Sequence, residues 1–181
     1  MSENAIDLSR FSKSACPPNG QVLWVCFIGS LVPSQGRERA LSAALPLLRD
    51  KRTYSGHHWQ RADGKRVARL VAAENIEEAA GFHGWIPHDH LQGIEVAAQV
   101  FVFPSVRRFS EGSVVEALAL SLVPLAVDYG GLGKLLAIDG EIAVPLASVG
   151  ETIRETDSAL LALACNAGRV ASISVAARAW H

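Results

Sequence analysis

Three stretches of this chain are apolar at nearly every position: VLWVCFI at Val22–Ile28, VFVF at Val100–Phe103, and VPLAV within Val123–Asp128. A strand with one solvated face alternates apolar and polar residues, whereas a strand apolar at both parities has both faces covered. Between the runs lie segments with helical spacing of apolar residues, at about Gly36–Arg49, Ala62–Ala73, His88–Ala98 and Ser113–Leu120. Weaker strand signals fall at Arg52–Ser55, ended by Gly56, at Gly81–Trp85 and at Glu141–Leu146. A short helix is expected at Gly133–Ala137, and longer ones at Glu151–Asn166 and Arg169–Ala179. The expected fold is α/β: a Rossmann-like, three-layer domain with a parallel sheet of about six strands and right-handed crossovers. Residues 1–20 read as an N-terminal linker segment and 21–181 as a single domain, without internal repeats or low-complexity tracts.

In such sheets ligands sit beyond the carboxyl ends of the strands. The loops that matter therefore follow Ile28, Ser55, Trp85, Phe103 and Asp128. The bulk of the chain narrows their chemistry. With 49% apolar residues in 181, the chain buries an ordinary core. A formal charge of −1 gives no electrostatic footprint for nucleic acid or an anionic membrane. No run reaches the roughly 20 apolar residues of a membrane span, and the polar first twenty residues lack a signal-peptide core. Cys16, Cys26 and Cys165 are odd in number and share no CxxC spacing, which fits a reduced, cytoplasmic setting.

Rival chemistries find little support. A dinucleotide oxidoreductase needs GxGxxG after the first strand, but Gly29 and Gly36 are seven apart. His57–His58, His83 and the His88/His90 pair lack HExxH or CxxC companions and read as surface or loop histidines rather than metal ligands. No GxSxG elbow is present, and Ser105 in FPS reads as a strand end.

The segments GSLVPSQG (29–36), GFHGWIPHD (81–89), FPSVRRFSEGSVVEALAL (103–120) and VPLAVDYGGLGKLL (123–136) occur in that order. Together they resemble the C-terminal, donor-binding half of the large retaining glycosyltransferase family of GT-B fold, the "glycosyl transferases group 1" type. NAIDLSRF (4–11) looks like the linker that enters this half. The resemblance implies one half of a GT-B fold that binds a nucleotide-diphospho-sugar in a cleft facing a second, acceptor-binding domain. That domain is absent from these 181 residues. It would be supplied by a longer chain or a separate protein partner, and its docking surface would be an exposed apolar patch around the loops.

The resemblance carries over to particular residues. Glu116 falls on the second Glu of the family's paired-Glu motif, which accepts hydrogen bonds from ribose hydroxyls. A carboxylate suits that task because it takes both vicinal hydroxyls at once. Gly84, Trp85 and Ile86 match the loop at the base edge. Gly29, Ser30 and Gln35 match the diphosphate loop. Arg108, Phe109, Ser110 and Gly112 match the segment whose amides face phosphate or sugar. No catalytic residue is assigned, and no cofactor or metal is expected, since helix N-termini and basic side chains serve the diphosphate in this fold.

Several positions depart from the family's pattern. Arg and Lys of the diphosphate loop are Ser30 and Gln35 here, and the first Glu of the pair is Arg108. The turn after the second strand is GHHW (56–59), Lys134 stands where Glu is usual, and Ser121 replaces a Gly. Hydrogen bonds to charged groups contribute about 1.5–3 kcal/mol each. Losing both cations would weaken diphosphate binding by about two to four decades, unless Arg37, Arg39 or Arg108 compensates. Two expectations follow: a retaining hexosyltransferase's nucleotide-sugar domain with an eroded diphosphate site, or a degenerate relative that acts as a binding or partner subunit.

Overall fold

The computed structural model describes residues 22–28, 37–50, 53–58, 64–84, 86–105, 111–129, 132–136 and 143–179. Elements alternate along the chain: β1 (Leu23–Ile28), α1 (Arg37–Arg49), β2 (Thr53–His58), α2 (Gly64–Glu74), β3 (Ala80–Gly84) and α3 (His88–Glu95). They continue as β4 (Val100–Phe103), α4 (Glu111–Ala119), β5 (Val123–Val127), α5 (Leu132–Leu135), β6 (Ala143–Val144), α6 (Val149–Ala164) and α7 (Ala167–Arg178). The six strands form one sheet in the order β3-β2-β1-β4-β5-β6, and every pairing is parallel. This is the strand order of a doubly wound nucleotide-binding domain.

The apolar runs behave as their parity demands. β4 and β5 are buried along their whole length, and β1 everywhere except Trp24. Leu23, Val25 and Phe27 join one core cluster with Leu41 of α1, Val71 of α2, Leu160 of α6 and Ile173 of α7. Cys26 and Ile28 point the other way, into a cluster with Leu91 of α3, Val114 and Ala117 of α4 and Leu132 of α5. Two cores on opposite faces make the three layers. No single helix among the described residues is long and apolar enough to cross a membrane.

Gln99, just ahead of β4, ties the central strands together. Its backbone N–H donates to the Trp24 carbonyl at 2.8 Å and its carbonyl accepts from Val123 at 2.8 Å. Its side-chain Oε1 accepts from the Trp24 N–H at 2.8 Å. The helix ends are equally specific. Ser121 follows α4 with φ of 65°; its N–H donates to the Leu118 carbonyl at 2.9 Å and Leu122 N–H to Ala117 at 2.9 Å. That is a Schellman closure with a serine where glycine is usual. Asn75 closes α2 in the same way, with φ of 54° and bonds to Ala72 and Val71.

Several boundaries differ from expectation by two or more residues, among them the end of α3 and the starts of α4 and α7, and three of the differences have a clear cause. β2 runs through Gly56 to His58 rather than ending at Gly56, because it pairs with β1 on one side and β3 on the other. GHH is therefore strand, not the turn expected there, and Trp59 lies outside the described residues. Of the expected strand Glu141–Leu146, Glu141 and Ile142 lie outside the described residues, Ala143–Val144 pair with β5 at the sheet edge, and the strand stops before Pro145. α6 starts at Val149 rather than Glu151, because Ser148 caps it: Glu151 N–H donates to Ser148 Oγ at 3.4 Å and Ser148 N–H to Glu151 Oε2 at 3.1 Å. The Ser-x-x-Glu spacing of this capping box was present in the sequence.

Candidate functional site

β1 and β4 are neighbours in the sheet, but the chain leaves them in opposite directions. From β1 it passes to α1, on one face; from β4 it passes to α4, on the other. Between their carboxyl ends a crevice must open, the topological switch point of a doubly wound sheet. The N-termini of α1 and α4 both come from this edge, and each turns backbone N–H groups that have no partner within the helix, and the positive end of its dipole, towards it.

On the α4 side, Pro104 and Ser105 carry the chain over the end of β4, and Ser105 is buried to 1% exposure. That burial agrees with a strand end and not with a substrate-facing nucleophile. Gly112 lies in the first turn of α4, and a Cβ built on it would meet nothing within 4 Å. Glu116 follows four residues later on the same side of the helix and is half-buried. The first turn of α4 thus borders open space, with a carboxylate one turn below. Gly84 ends β3, and half-buried Ile86 packs against the apolar cluster that α4 also enters.

Of the expected site residues, Gly84, Ile86, Gly112 and Glu116 are placed on this carboxyl edge. Gly29, Ser30, Gln35, Trp85, Arg108, Phe109 and Ser110 lie outside the described residues. So do the side chains of Arg37, Arg39 and Lys134. At the next strand, Asp128 Oδ1 accepts the Gly133 N–H at 3.0 Å, closing the loop after β5 onto the start of α5. A side chain at position 133 would meet that carboxylate and push it away from the Gly133 N–H.

One group escaped the sequence reading. Glu95, in the last turn of α3, is only 3% exposed. Burial, reinforced by the nearby charge of Glu116, pushes its carboxyl up to about 7. Its other neighbour is Cys26 of β1, whose thiol is raised by burial and then by Glu95. A single acid in a helix reads as a solvated residue; only the convergence of α3, α4 and β1 buries it. Among the described residues, no three His, Cys, Asp or Glu side chains gather as a metal site.

Residues 23–166 match the sequence profile of the family described as glycosyl transferases group 1. The chain belongs to that family. Its fold is that of the C-terminal domain of a GT-B glycosyltransferase. A solved C-terminal domain of a group 1 glycosyltransferase (LpcC) from Francisella tularensis superposes with a TM-score of 0.81 at 13% identity, over 97% of this chain and 96% of that one. HepE from Anabaena, solved with UDP and glucose, gives 0.73 at 16% identity, over 97% of this chain and 50% of that one. Among curated proteins, a 2-deoxystreptamine glucosyltransferase of Streptomyces kanamyceticus is 30% identical over 129 residues, 65% of this chain. The match spans 33% of that relative's length. The group 1 scaffold is therefore clear, and the described motif residues stand at the edge where such a sheet opens.

Proposed function

We propose that this group 1 chain is the nucleotide-diphospho-sugar-binding half of a retaining hexosyltransferase, with its site in the crevice beyond β1 and β4. The observation that carries the reading is the pairing of open space at Gly112 with Glu116 one turn below, both at the switch point. Glu116 would hold the ribose hydroxyls, and the Gly84–Ile86 loop would hold the base. The diphosphate would lie across the Gly29–Gly36 loop and the amides of Phe109–Gly112, with no metal or cofactor required. UDP in the solved HepE and in the pneumococcal O-GlcNAc transferase GtfA supports a nucleotide in this kind of fold.

Ser30 and Gln35 remove two cations from that loop, so the diphosphate would be bound weakly. A second reading takes this as function lost: a non-catalytic relative serving as a binding or partner subunit. In both readings a second body faces the crevice. Tyr129 after β5, and Leu146, 51% exposed, and Val149, 54% exposed, after β6, are the exposed apolar residues that such a body would cover.

Calorimetric titration with UDP, GDP and ADP tests the choice. Binding of one of them, weakened about a hundredfold or more by Glu116→Ala through loss of two hydrogen bonds to a charged acceptor, supports the donor site. No binding at millimolar concentration of all three leaves the partner-subunit reading.

A further inference from the structure

We propose that Tyr129 is the platform on which the hexose of the nucleotide-sugar stacks, so that it sets affinity for the sugar rather than for the nucleotide. The inference rests on the reading of the crevice as the donor site and extends that site by one subsite. The order of the strands gives the place. In the sheet β3-β2-β1-β4-β5-β6, the base is assigned to the loop after β3 and the diphosphate to the crevice between β1 and β4. The sugar hangs from the far end of the diphosphate. Continued in the same direction along the carboxyl edge, it arrives over the end of β5, about 5 Å beyond β4. Tyr129 is the second residue after β5, which ends at Val127.

The backbone that carries Tyr129 is held on both sides. Before it, the Asp128 N–H donates to the Val144 carbonyl at 2.7 Å, and Asp128 Oδ1 accepts the Gly133 N–H at 3.0 Å. After it, the Leu132 N–H donates to the Tyr129 carbonyl at 3.3 Å. The ring joins neither core cluster and is 39% exposed. A tyrosine on a fixed backbone has few torsions to settle, so little freedom is lost when a ligand covers it. Its chemistry suits a hexose. The face of an aromatic ring carries negative charge density, and the C–H bonds on one side of a pyranose offer it an apolar, weakly positive surface. The other large exposed aromatic among the described residues, Trp24, stands at the amino edge, on the wall of a groove of about 450 Å³ below α3 with Cys26 and Ile94. That is the wrong end of the sheet for this ligand.

Calorimetry tests this by difference, with UDP, GDP and ADP measured against UDP-glucose, GDP-mannose and ADP-glucose. For the pair that binds best, Tyr129→Ala should weaken the conjugate about fivefold or more, as expected for one ring face returned to water, and leave the bare nucleotide within about twofold. Tyr129→Phe keeps the ring and should match wild type for both. Equal losses for conjugate and nucleotide in Tyr129→Ala would mark a disturbed loop and overturn the platform. A conjugate unaffected by Tyr129→Ala overturns it too. So does a loss in Tyr129→Phe as large as in Tyr129→Ala, which would put the contact on the hydroxyl. Each of these outcomes leaves nucleotide binding, and with it the donor site, standing. If wild type binds neither nucleotides nor conjugates, the donor reading itself fails and this inference falls with it.

Discussion

At the scale of single residues, Glu95 ties the stability of the fold to pH. Its folded value is raised to about 7 from the ordinary 4.5, chiefly by burial and then by Glu116. The native state therefore keeps the proton after the unfolded chain has released it. The stabilisation is complete below about pH 4.5 and is lost as pH rises to 7, a difference of about 3 kcal/mol from this group. Denaturant unfolding should show Glu95→Gln gaining stability over wild type at pH 8, and the gain shrinking towards pH 4.5. Equal differences at both pH values would contradict the burial assigned to Glu95. The burial of this acid was illegible in the sequence, whereas Glu116 was singled out by its match to the second Glu of the family's paired-Glu motif.

At the scale of elements, the ends of the helices carry the local specificity. Ser121 holds φ of 65° at the end of α4, where its carbonyl accepts from Ser174 Oγ at 2.6 Å and its own Oγ from Arg178 at 3.4 Å. A left-handed conformation costs a non-glycine residue about 1 kcal/mol. The long bond to Arg178 returns little of it. Ser121→Gly should therefore raise stability by roughly 0.5–1 kcal/mol in urea unfolding; a loss would mean that the tie to α7 outweighs the backbone strain. At the start of α6, Ser148→Ala removes the acceptor of the Glu151 N–H and should cost about 1 kcal/mol. Glu151 is held below its usual value by its bonds to Ser148, so this cap weakens as the solution is acidified.

The same scale shows what the sequence could convey about elements. β1, β4 and β5 were legible because burial on both faces forces apolar residues at both parities. β2, TYSGHH, was expected only as a short strand at Arg52–Ser55; its continuation through Gly56 to His58 comes from pairing with β1 and β3, a tertiary cause that leaves no local mark. Glu141–Leu146 has strand composition, and of its described residues Ala143 and Val144 pair with β5 while Pro145 and Leu146 do not. Ser148-x-x-Glu151 was a readable start signal for α6, and the run of helical residues after it drew the boundary too late.

At the scale of the whole molecule, the two cores and the reversal between β1 and β4 open a crevice at the carboxyl edge, the place where doubly wound sheets take their ligands. Tyr129, Leu146 and Val149 are exposed apolar residues that follow β5 and β6. Sugar transfer requires donor and acceptor held together in attack geometry, so these 181 residues alone should bind a nucleotide and transfer no sugar to any acceptor in a radiolabelled assay. Replacing Leu146 and Val149 with Ser should change stability by no more than about 0.5 kcal/mol each, as expected of exposed side chains.

The central claim is that the working site is the crevice between the ends of β1 and β4. Its most direct test is a map of backbone amide shifts in nitrogen-15 NMR as UDP, GDP or ADP is added. The account predicts shifts concentrated at Ile86, at Gly112 and Ser113 in the first turn of α4, and at Glu116, with the amino edge around Trp24 and Gln99 unmoved. Shifts centred on that amino edge, or on the groove below α3, would contradict it.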